Sequence, residues 1–467
     1  MDALIRANKL KRAVQNFNLK SKGHPVNYLK PHQINSLYSI QTTDTFVTLP
    51  TGYGKSLIYE LSPFYAQELG IRQKCVIISP LNAIIDQEID KLGPLAIKLS
   101  EDYQHCNISD VKYVFGHPEG IISRSGFGSL SSMIQKDEEV IVCVDEAHCI
   151  LEWGKEFRPV FQKIGSLRTL LKCRFLFLTA TMTERGVQEI KKLIGLKNLT
   201  ITGQKTCVNE NIFLSIRHRP AASGGENNVT KSFEACIKPL LIELFCKQDQ
   251  FPLTIVYSNL KWCGYGVVVA KRILKERMYN GLPLPQNCRV MQFHAPQSKE
   301  VNSYILDCLR NGSVSVRLIF ATVALGMGAD LKHVRRIVHI GAPSTLETYV
   351  QEVGRAGRDG DSAEAVLFYN ATDAAGQNMT KTMKEFLVSQ VCRKQFIADY
   401  FGAKYTGSHQ CCDICSQVTS KVLPVTSDEQ QQTCKELLRQ YVIADHSGEL
   451  EFCLREKIDC IGHKKLT

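Results

Sequence analysis

Short, continuous apolar runs recur along this chain, and each is followed by sequence that is typical of a helix. The runs lie at 45–49, 75–79, 139–144, 175–179, 253–257, 290–293, 316–320, 336–340 and 365–369. Strands that are apolar at every position, rather than at alternate positions, are typical of parallel sheets that helices cover on both faces. The pattern therefore predicts an α/β chain with two consecutive parallel-sheet domains.

The boundary between these domains is marked by a polar, glycine-containing segment at 221–232 (AASGGENNVTKS). A chain of 467 residues is too long for a single hydrophobic core, so several domains are expected. The sequence predicts a first α/β domain, a second α/β domain, a small helical cysteine-rich module and a short tail of unknown structure, at 1–207, 208–372, 373–416 and 417–467 respectively.

The composition says more about the cellular compartment in which the protein works than about the molecules that it binds. The formal net charge is +11 and the isoelectric point is near 8.8, which suits a polyanionic partner without requiring one. The first residues, MDALIRANKLKRAV, contain no long apolar segment, so neither a secretory signal nor a membrane anchor is expected. Eighteen cysteines without an export signal indicate reduced thiols in an intracellular compartment and leave room for a metal site.

A phosphate-binding loop is predicted at 46–57 (FVTLPTGYGKSL), where an apolar run breaks at a proline, turns through glycines and continues into a helix. Glycines let backbone N–H groups face an anion, and the helix N-terminus adds positive potential. Lys55 would reach the outer phosphates and Ser56 would hold Mg²⁺. The residues predicted to bind the nucleotide here are Thr51, Gly52, Gly54, Lys55 and Ser56. On its own, such a loop is also compatible with a simple turn.

Two acidic residues follow directly on the apolar run at 139–144. Asp145, at the carboxyl end of that strand, would hold Mg²⁺, while Glu146 would orient and deprotonate the attacking water. A pair of solvated acids is the alternative interpretation, and the phosphate loop upstream disfavours it. Thr179 and Thr181 end a further strand, where their hydroxyls would couple the nucleotide state to domain movement.

Two arginines in the second α/β domain complete the predicted chemistry. Arg355 and Arg358 lie three residues apart within 351–360 (QEVGRAGRDG), and the sequence predicts them on one face at the start of a helix. A guanidinium brought across the cleft would neutralise charge on the transferred phosphoryl group. Gln351 and Asp330 are predicted to face the same cleft. ATP is therefore expected to bind between the two domains.

The order and content of these segments closely resemble the superfamily-two helicase core of the RecQ family, which implies that both α/β domains are RecA-like. Residues 145–159 (DEAHCILEWGKEFRP) are similar to the family's acidic motif and to the aromatic-rich loop that follows it. In that family the loop senses single-stranded DNA and activates hydrolysis. By position, the resemblance implies that the coupling residues are His148, Trp153, Phe157 and Arg158. Aromatic faces and guanidinium planes can stack on unpaired bases.

A segment upstream of the phosphate loop, 29–33 (LKPHQ), resembles the family's adenine-reading segment. Gln33 offers a donor and an acceptor that match the adenine edge, and the resemblance places Lys30 over the ring. Four further segments resemble stretches that contact the DNA backbone in the family: 79–81, 116–119, 257–259 and 293–295.

A cysteine-rich segment late in the chain resembles the zinc-binding module of the RecQ family. Cys412 and Cys415 have the C-x-x-C spacing of metal ligands, and Cys392 precedes Tyr-Phe-Gly as it does in that family. The fourth ligand is left open, because His409 keeps a two-residue spacing whereas Cys411 gives an all-sulfur site. Zn²⁺ is expected to be structural, because no ligand position is left for water.

Two departures from the family pattern bear on function. Residues 209–212 read Asn-Glu-Asn-Ile where the family usually has Arg-Pro-Asn-Ile, which puts one contact near the domain junction in doubt. After Cys415 about fifty residues remain, and neither a full winged-helix domain nor the family's further C-terminal domain is expected in them. In many relatives a hairpin of the winged-helix domain separates the strands. We therefore expect weak unwinding of the duplex, or a strand-separating element of a different structure.

The resemblance implies an ATP-dependent DNA helicase that moves 3′ to 5′ along single-stranded DNA, acts on forked DNA and serves DNA repair or recombination. Its cofactors would be ATP, Mg²⁺ and Zn²⁺, it would have no membrane partner, and it would lie in the nucleus of a eukaryote or otherwise in the cytoplasm. Two alternatives stay open. One is a DNA-stimulated ATPase that translocates or anneals strands with weak unwinding, and the other is a nucleic-acid-binding scaffold without hydrolysis.

Overall fold

The computed structural model describes residues 2–419, with gaps at 24, 51, 81, 100–110, 135–136, 153–158, 204–207, 222–224, 312–314, 327–330, 332, 377 and 408–409. Over these residues the chain forms two parallel sheets, each covered by helices, and a small helical module. We call the two sheet units the first lobe and the second lobe.

The first lobe contains a seven-stranded sheet in which every pair of neighbouring strands is parallel. Its strands are β1 (Asp44–Thr48), β2 (Gln73–Ile78), β3 (Ala96–Lys98), β4 (Tyr113–Gly116), β5 (Glu139–Val144), β6 (Cys173–Thr179) and β7 (Leu199–Gly203). They lie side by side in the order β3-β4-β2-β5-β6-β1-β7. Strands β1 and β2 are buried along their whole length, as continuous apolar runs require.

Helices cover both faces of this sheet and bury two separate clusters of large side chains. Phe46, Phe175 and Phe177 belong to one cluster, and Phe17 and Phe64 belong to the other. The helices are α1 (Asp2–Lys20), α2 (Pro31–Ile40), α3 (Ser56–Glu68), α4 (Asn82–Leu92), α5 (Pro118–Ile122), α6 (Arg124–Met133), α7 (Cys149–Glu152), α8 (Leu167–Leu170) and α9 (Glu184–Ile194), with 3-10 turns at Gly93–Leu95 and Pro159–Ser166.

The second lobe contains a six-stranded parallel sheet. Its strands are β8 (Ile212–His218), β9 (Thr254–Tyr257), β10 (Val290–Phe293), β11 (Leu318–Ala321), β12 (Arg336–Ile340) and β13 (Ala363–Tyr369), and they lie in the order β10-β11-β9-β12-β13-β8. The helices that cover it are α10 (Glu226–Lys247), α11 (Leu260–Leu274), α12 (Lys299–Asn311) and α13 (Leu346–Val353), with 3-10 turns at Gln248–Gln250, Lys275–Met278, Pro285–Asn287 and Val323–Gly326.

The helical module packs against the β8 edge of the second sheet. Its helices are α14 (Ala371–Ala374), α15 (Lys381–Val388), α16 (Arg393–Phe401) and α17 (Asp413–Thr419). The Leu214 N–H donates to the Cys411 carbonyl at 3.2 Å, and the Ile216 N–H donates to the Asp413 carboxylate at 3.1 Å. The same carboxylate pairs with the buried Arg393 guanidinium at 3.0 Å. The module is therefore joined to the second lobe by backbone as well as side-chain hydrogen bonds.

The predicted fold class, two parallel-sheet α/β domains followed by a small helical module, is confirmed. Each of the nine apolar runs overlaps an observed strand. Four strands were missed: β3, β4, β7 and β8. Three of them lie at sheet edges, where one side of the strand has no neighbour and the apolar pattern is weaker. Most of the predicted tail, from 420 onward, lies outside the described residues.

Among the helices of the described part of the chain, none combines the length and the apolar character needed to cross a bilayer.

Candidate active site

The predicted phosphate loop connects β1 to α3 and depends on two glycines. Gly52 and Gly54 have φ angles of +78° and +85°, which favour glycine because a Cβ would be strained there. Lys55 follows in the right-handed α conformation, and α3 begins at Ser56. An alternation of left- and right-handed residues turns successive backbone N–H groups to one side, as an anion cradle needs. Thr51 lies outside the described residues.

Lys55 lies where charges from both lobes meet. Burial lowers the pKa of its ammonium, and the carboxylates of Glu146 and Asp145 act against this effect. The guanidiniums of Arg358 and Arg355 lower the pKa further. Two of these four residues belong to the first lobe and two to the second, so the structure brings together the five residues in which the sequence predicted the ATP chemistry.

The acidic turn after β5 has a strained backbone, and the pKa of its Asp145 carboxyl is raised. Glu146 has φ +50°, which is unusual for a residue with a side chain, and such strain is often found at functional sites. Burial raises the pKa of Asp145 to about 7, with a further contribution from Glu146, while Lys55 and His148 oppose the rise. The Glu146 N–H donates to the Asp145 carboxylate at 3.0 Å. A cation bound here would relieve the repulsion between the two carboxylates.

Gln351 of α13 reaches across the cleft to the first lobe. Its amide nitrogen lies 2.8 Å from the Thr181 hydroxyl and 3.0 Å from the Nε2 atom of His148. His148 Nδ1 in turn lies 3.1 Å from the Thr179 hydroxyl. The acidic turn, the end of β6 and the second lobe are thus connected by hydrogen bonds.

A second contact between the lobes was not found from the sequence. The Arg310 guanidinium on α12 donates to the Gln87 side chain on α4 at 2.9 Å. Arg310 and Gln87 belong to no recognisable motif, so only the tertiary structure reveals their pairing.

The segment with the two arginines is a turn and not the start of a helix, so that part of the prediction is wrong. Helix α13 ends at Val353, and Gly357 and Gly360 then take φ angles of +62° and +91°, which are incompatible with a continuing helix. We call residues 354–361 the arginine loop. The helix ends because three glycines in seven residues favour a turn over helical hydrogen bonding.

Arg355 and Arg358 occupy different environments within the arginine loop. Only 4% of Arg355 is exposed, and among the described residues its Nε and Nη1 atoms have no hydrogen-bond partner. Buried N–H groups without partners are costly, so an anionic ligand at this position would be favourable. The Arg358 Nε atom donates to the Gly354 carbonyl at 3.4 Å, and its side chain passes close to Gly52 of the phosphate loop.

Gln33, the predicted adenine reader, is bonded to the phosphate loop. Its amide nitrogen donates to the carbonyls of Tyr53 and Gly54 at 3.1 and 2.9 Å, and its amide oxygen accepts from the Lys30 N–H at 2.8 Å. The Lys30 ammonium lies 4.3 Å from the centre of the Tyr53 ring. Both predicted residues therefore lie beside the phosphate loop, on the side of α2.

Several predicted site residues lie outside the described residues. These are Trp153, Phe157 and Arg158 of the aromatic-rich loop, Asp330 of the cleft and His409 of the cysteine-rich segment.

Four cysteines of the helical module form a compact cluster. The sulfur atoms of Cys392, Cys411, Cys412 and Cys415 all lie within 4.8 Å of one another. The Sγ atoms of Cys392 and Cys411 are 3.3 Å apart, and Cys412 Sγ lies 3.9 Å from Cys392 Sγ. Four cysteine thiolates are a donor set that structural Zn²⁺ prefers, in tetrahedral coordination with Zn–S bonds of about 2.3 Å. The residues present therefore fit a zinc ion, and Cys411 belongs to the cluster.

Comparison with protein families gives three matches along the chain. The model described as DEAD/DEAH box helicase matches residues 30–190, and the helicase conserved C-terminal domain matches residues 238–360. The model described as RecQ zinc-binding matches residues 363–416.

Curated relatives extend over most of the chain. The ATP-dependent DNA helicase RecQ of Haemophilus influenzae is 27% identical over 403 residues, which cover 80% of this chain and 58% of the relative. The ATP-dependent DNA helicase hus2/rqh1 of Schizosaccharomyces pombe is 29% identical over 440 residues, covering 85% of this chain and 31% of the relative. The chain thus spans between about a third and three fifths of the length of these two relatives.

Solved structures with the same fold include several helicases. The helicase Lhr of Mycobacterium smegmatis, bound to single-stranded DNA and AMP-PNP, matches with a TM-score of 0.57 at 19% identity, over 80% of this chain and 49% of that one. Mss116p bound to single-stranded RNA and AMP-PNP matches with a TM-score of 0.61 at 16% identity, over 89% of this chain and 80% of that one. These likenesses show the two-lobed fold.

Proposed function

Because this chain belongs to the RecQ family of helicases, we propose that it is an ATP-dependent DNA helicase that moves 3′ to 5′ along single-stranded DNA and unwinds forked duplexes. The main support for this proposal is the electrostatic environment of Lys55. Two carboxylates of the first lobe and two guanidiniums of the second lobe act on its ammonium. Hydrolysis at such a site depends on the relative position of the lobes, and that dependence is what a motor requires.

Each residue of the site has a proposed role in hydrolysis. Lys55 and the glycines of the phosphate loop bind the β- and γ-phosphates, and Glu146 positions and deprotonates the attacking water. Ser56 and Asp145 would hold Mg²⁺, which would supply neutralisation of the phosphate charge. Arg355 and Arg358 stabilise the charge that develops on the transferred phosphoryl group. Their removal is therefore expected to lower kcat more than it weakens ATP binding.

The contacts of Gln351 support coupling between the nucleotide and the lobes. Its amide bonds to His148 and Thr181, so the acidic turn and the end of β6 respond together to movement of α13. We place the DNA-sensing function in the aromatic-rich loop, where Trp153 and Phe157 stack on unpaired bases. That loop follows α7 directly, and α7 follows the acidic turn, so a base stacked there can influence the hydrolytic residues.

The cysteine cluster is proposed to hold one structural zinc ion through Cys392, Cys411, Cys412 and Cys415. The four sulfur atoms support this choice because they complete a tetrahedral set without a further residue. Roles in DNA repair or recombination and, in a eukaryotic cell, location in the nucleus are parts of the same proposal and rest on the family.

ATP hydrolysis measured with and without single-stranded DNA tests the proposal. The wild-type chain should hydrolyse ATP faster when DNA is present, and Lys55→Ala should lower kcat by about 10²–10³-fold, because it removes a charge that stabilises the transition state. Equal rates with and without DNA would contradict the proposed coupling.

Strand separation is tested on duplexes with a 3′ or a 5′ single-stranded tail. Unwinding of the 3′-tailed duplex alone is the expected result. DNA-stimulated hydrolysis without unwinding of either duplex would favour the alternative, a translocase or strand-annealing factor. Stronger stimulation by RNA than by DNA of the same sequence would contradict the choice of DNA.

A further inference from the structure

Asn211, in the segment that enters the second lobe, is bonded directly to the arginine loop. Its side-chain amide donates to the Gly357 carbonyl at 2.8 Å and to the Asp361 carbonyl at 2.6 Å. Its own carbonyl accepts from the Ala363 N–H at 2.9 Å, where β13 begins beside β8. One asparagine therefore bonds to both ends of the turn that contains Arg358.

The backbone at Gly357 packs tightly against the side-chain amide of Asn211. A Cβ at Gly357 would lie 2.4 Å from the Asn211 Nδ2 atom and 3.0 Å from the Asp361 carbonyl oxygen, and the residue has φ +62°. A side chain at this position would therefore displace Asn211 in addition to straining the backbone. Gly357 lies between Arg355 and Arg358, so any displacement of this turn moves both guanidiniums.

Asn211 is itself held in place by the helical module. Lys394, near the start of α16, is 1% exposed, and its ammonium donates to the carbonyls of Asn209 and Glu210 at 2.9 Å each. A buried ammonium retains such bonds because water cannot replace them. The two residues before Asn211 are thus fixed to the module that carries the cysteine cluster.

A second contact holds the arginine loop through two of its carboxylates. The Arg335 guanidinium donates to the Asp359 carboxylate at 2.9 and 2.6 Å and to the Asp361 carboxylate at 2.6 Å. Asp361 is 70% exposed at its side chain, so solvent screens this part of the ion pair. The hydrogen bonds from Asn211 reach backbone carbonyls instead, and they fix the chain at Gly357, between the arginines, and at Asp361.

We propose that Asn211 is a positioning residue for Arg355 and Arg358, with Lys394 as the anchor that holds Asn211. The inference rests on the proposed function, in which these arginines stabilise the transferred phosphoryl group. Catalysis by a charged group depends steeply on its placement, and a displacement of 1 Å can cost about 10²-fold in rate. Asn211 keeps the residue of the family pattern, whereas Asn209 and Glu210, at the two positions that depart from it, supply the backbone carbonyls that Lys394 holds.

The test compares Asn211→Ala and Asn211→Asp, which keeps the side-chain shape but lacks the amide donors. Asn287→Ala is the matched control. It removes an asparagine hydrogen bond of 3.0 Å, to the Leu282 carbonyl, before β10, at the opposite edge of the same sheet. Two quantities are measured on the full chain: amide hydrogen exchange in residues 354–361 without nucleotide, and kcat and KM for ATP with single-stranded DNA.

Both Asn211 variants should increase exchange in the arginine loop by about tenfold or more and lower kcat by about 10- to 100-fold, with KM changed less than about threefold. Lys394→Met should do the same to a smaller extent, and Asn287→Ala should match the wild-type chain in both measurements. Unchanged exchange, or faster exchange with unchanged kcat, would overturn the inference, as would an equal loss of kcat in Asn287→Ala.

Arg355→Ala separates a failure of the inference from a failure of the proposed function. If Arg355→Ala leaves kcat unchanged, the proposed role of the arginine loop is wrong, whatever the exchange data show. If Arg355→Ala lowers kcat but the Asn211 variants change neither exchange nor kcat, only the positioning role of Asn211 is wrong.

Discussion

Three charged residues of the site, Asp145, Glu146 and Arg355, destabilise the folded chain when no ligand is bound. Asp145 and Glu146 are two neighbouring carboxylates in a turn whose second residue has φ +50°. Arg355 is buried, and its Nε and Nη1 atoms have no partner among the described residues. Such groups persist when the surrounding fold determines their position, and a ligand that carries both Mg²⁺ and phosphate would satisfy all three.

Asp145→Asn is expected to stabilise the folded chain above pH 7 while it abolishes hydrolysis. Burial raises the pKa of Asp145 from 3.8 to about 7, so the folded state binds this proton more tightly than the unfolded state. The stabilisation is complete below about pH 4 and is lost as the pH rises toward 7. Above pH 7 the ionised carboxylate is destabilising, and asparagine removes that effect.

Thermal unfolding at pH 5 and pH 8, without nucleotide or Mg²⁺, measures this effect. At pH 8 the Tm of Asp145→Asn should exceed that of the wild-type chain by about 2–4 °C, which corresponds to about 1 kcal/mol. At pH 5 the difference should be smaller but not zero, because Asp145 is protonated in the folded chain at that pH but already ionised in the unfolded chain, where its pKa is 3.8. A lower Tm than wild type at pH 8 would contradict the burial argument.

Among the secondary-structure elements, most of the strands inside the sheets could be predicted, whereas three of the four edge strands could not. Strands β2 and β5 read as unbroken apolar runs because both of their faces are covered, whereas β7 reads Leu-Thr-Ile-Thr-Gly and is only half buried. The arginine loop was mistaken for a helix start because spacing alone does not show that Gly357 and Gly360 adopt left-handed conformations.

The cysteine cluster also shows that residue spacing alone cannot identify every residue of a site. The C-x-x-C spacing identified Cys412 and Cys415, but two neighbouring candidates had equal claims from spacing. The structure places Cys411 in the cluster because the chain turns into α17 there, whereas His409 lies outside the described residues.

Cys411→Ser and His409→Ala are expected to differ in their metal content. The wild-type chain and His409→Ala should each contain about one zinc ion, while Cys411→Ser should lose most of it, since one of four tetrahedral ligands is missing. Metal analysis of freshly purified protein measures the difference, and the folded fraction is checked by circular dichroism. Retention of zinc by Cys411→Ser together with its loss from His409→Ala would contradict the four-cysteine site.

At the scale of the whole molecule, the two lobes are joined by contacts of two kinds. Gln351 bonds to the acidic turn of the first lobe, whereas Arg310 bonds to Gln87 between α12 and α4. The sequence placed Gln351 at the cleft because it lies within a recognisable motif, but its contact with His148 was not predicted. The second contact could not be located, because it depends on how two amphipathic helices face one another after folding. The same holds for Asn211, whose partners are backbone carbonyls.

Gln351→Ala is expected to lower the DNA-stimulated kcat by about tenfold, which corresponds to the loss of a hydrogen bond worth about 1.4 kcal/mol. Gln87→Ala, which removes the contact of Arg310 with the first lobe, is the matched comparison. A larger loss of kcat in Gln351→Ala than in Gln87→Ala would show that the effect arises from the contact with the acidic turn. Equal losses in both variants would show that lobe docking in general matters and that Gln351 has no special role.

The two lobes are proposed to form one ATP site between them. A crystal structure of the full chain with a nonhydrolysable ATP analogue, Mg²⁺ and single-stranded DNA tests this arrangement. Guanidinium nitrogens of Arg355 and Arg358 should lie about 2.7–2.9 Å from oxygens of the γ-phosphate, while Lys55 should contact the β- and γ-phosphates. Nucleotide bound to the first lobe alone, with both arginines directed away from it in a closed cleft, would show that the lobes do not share the site.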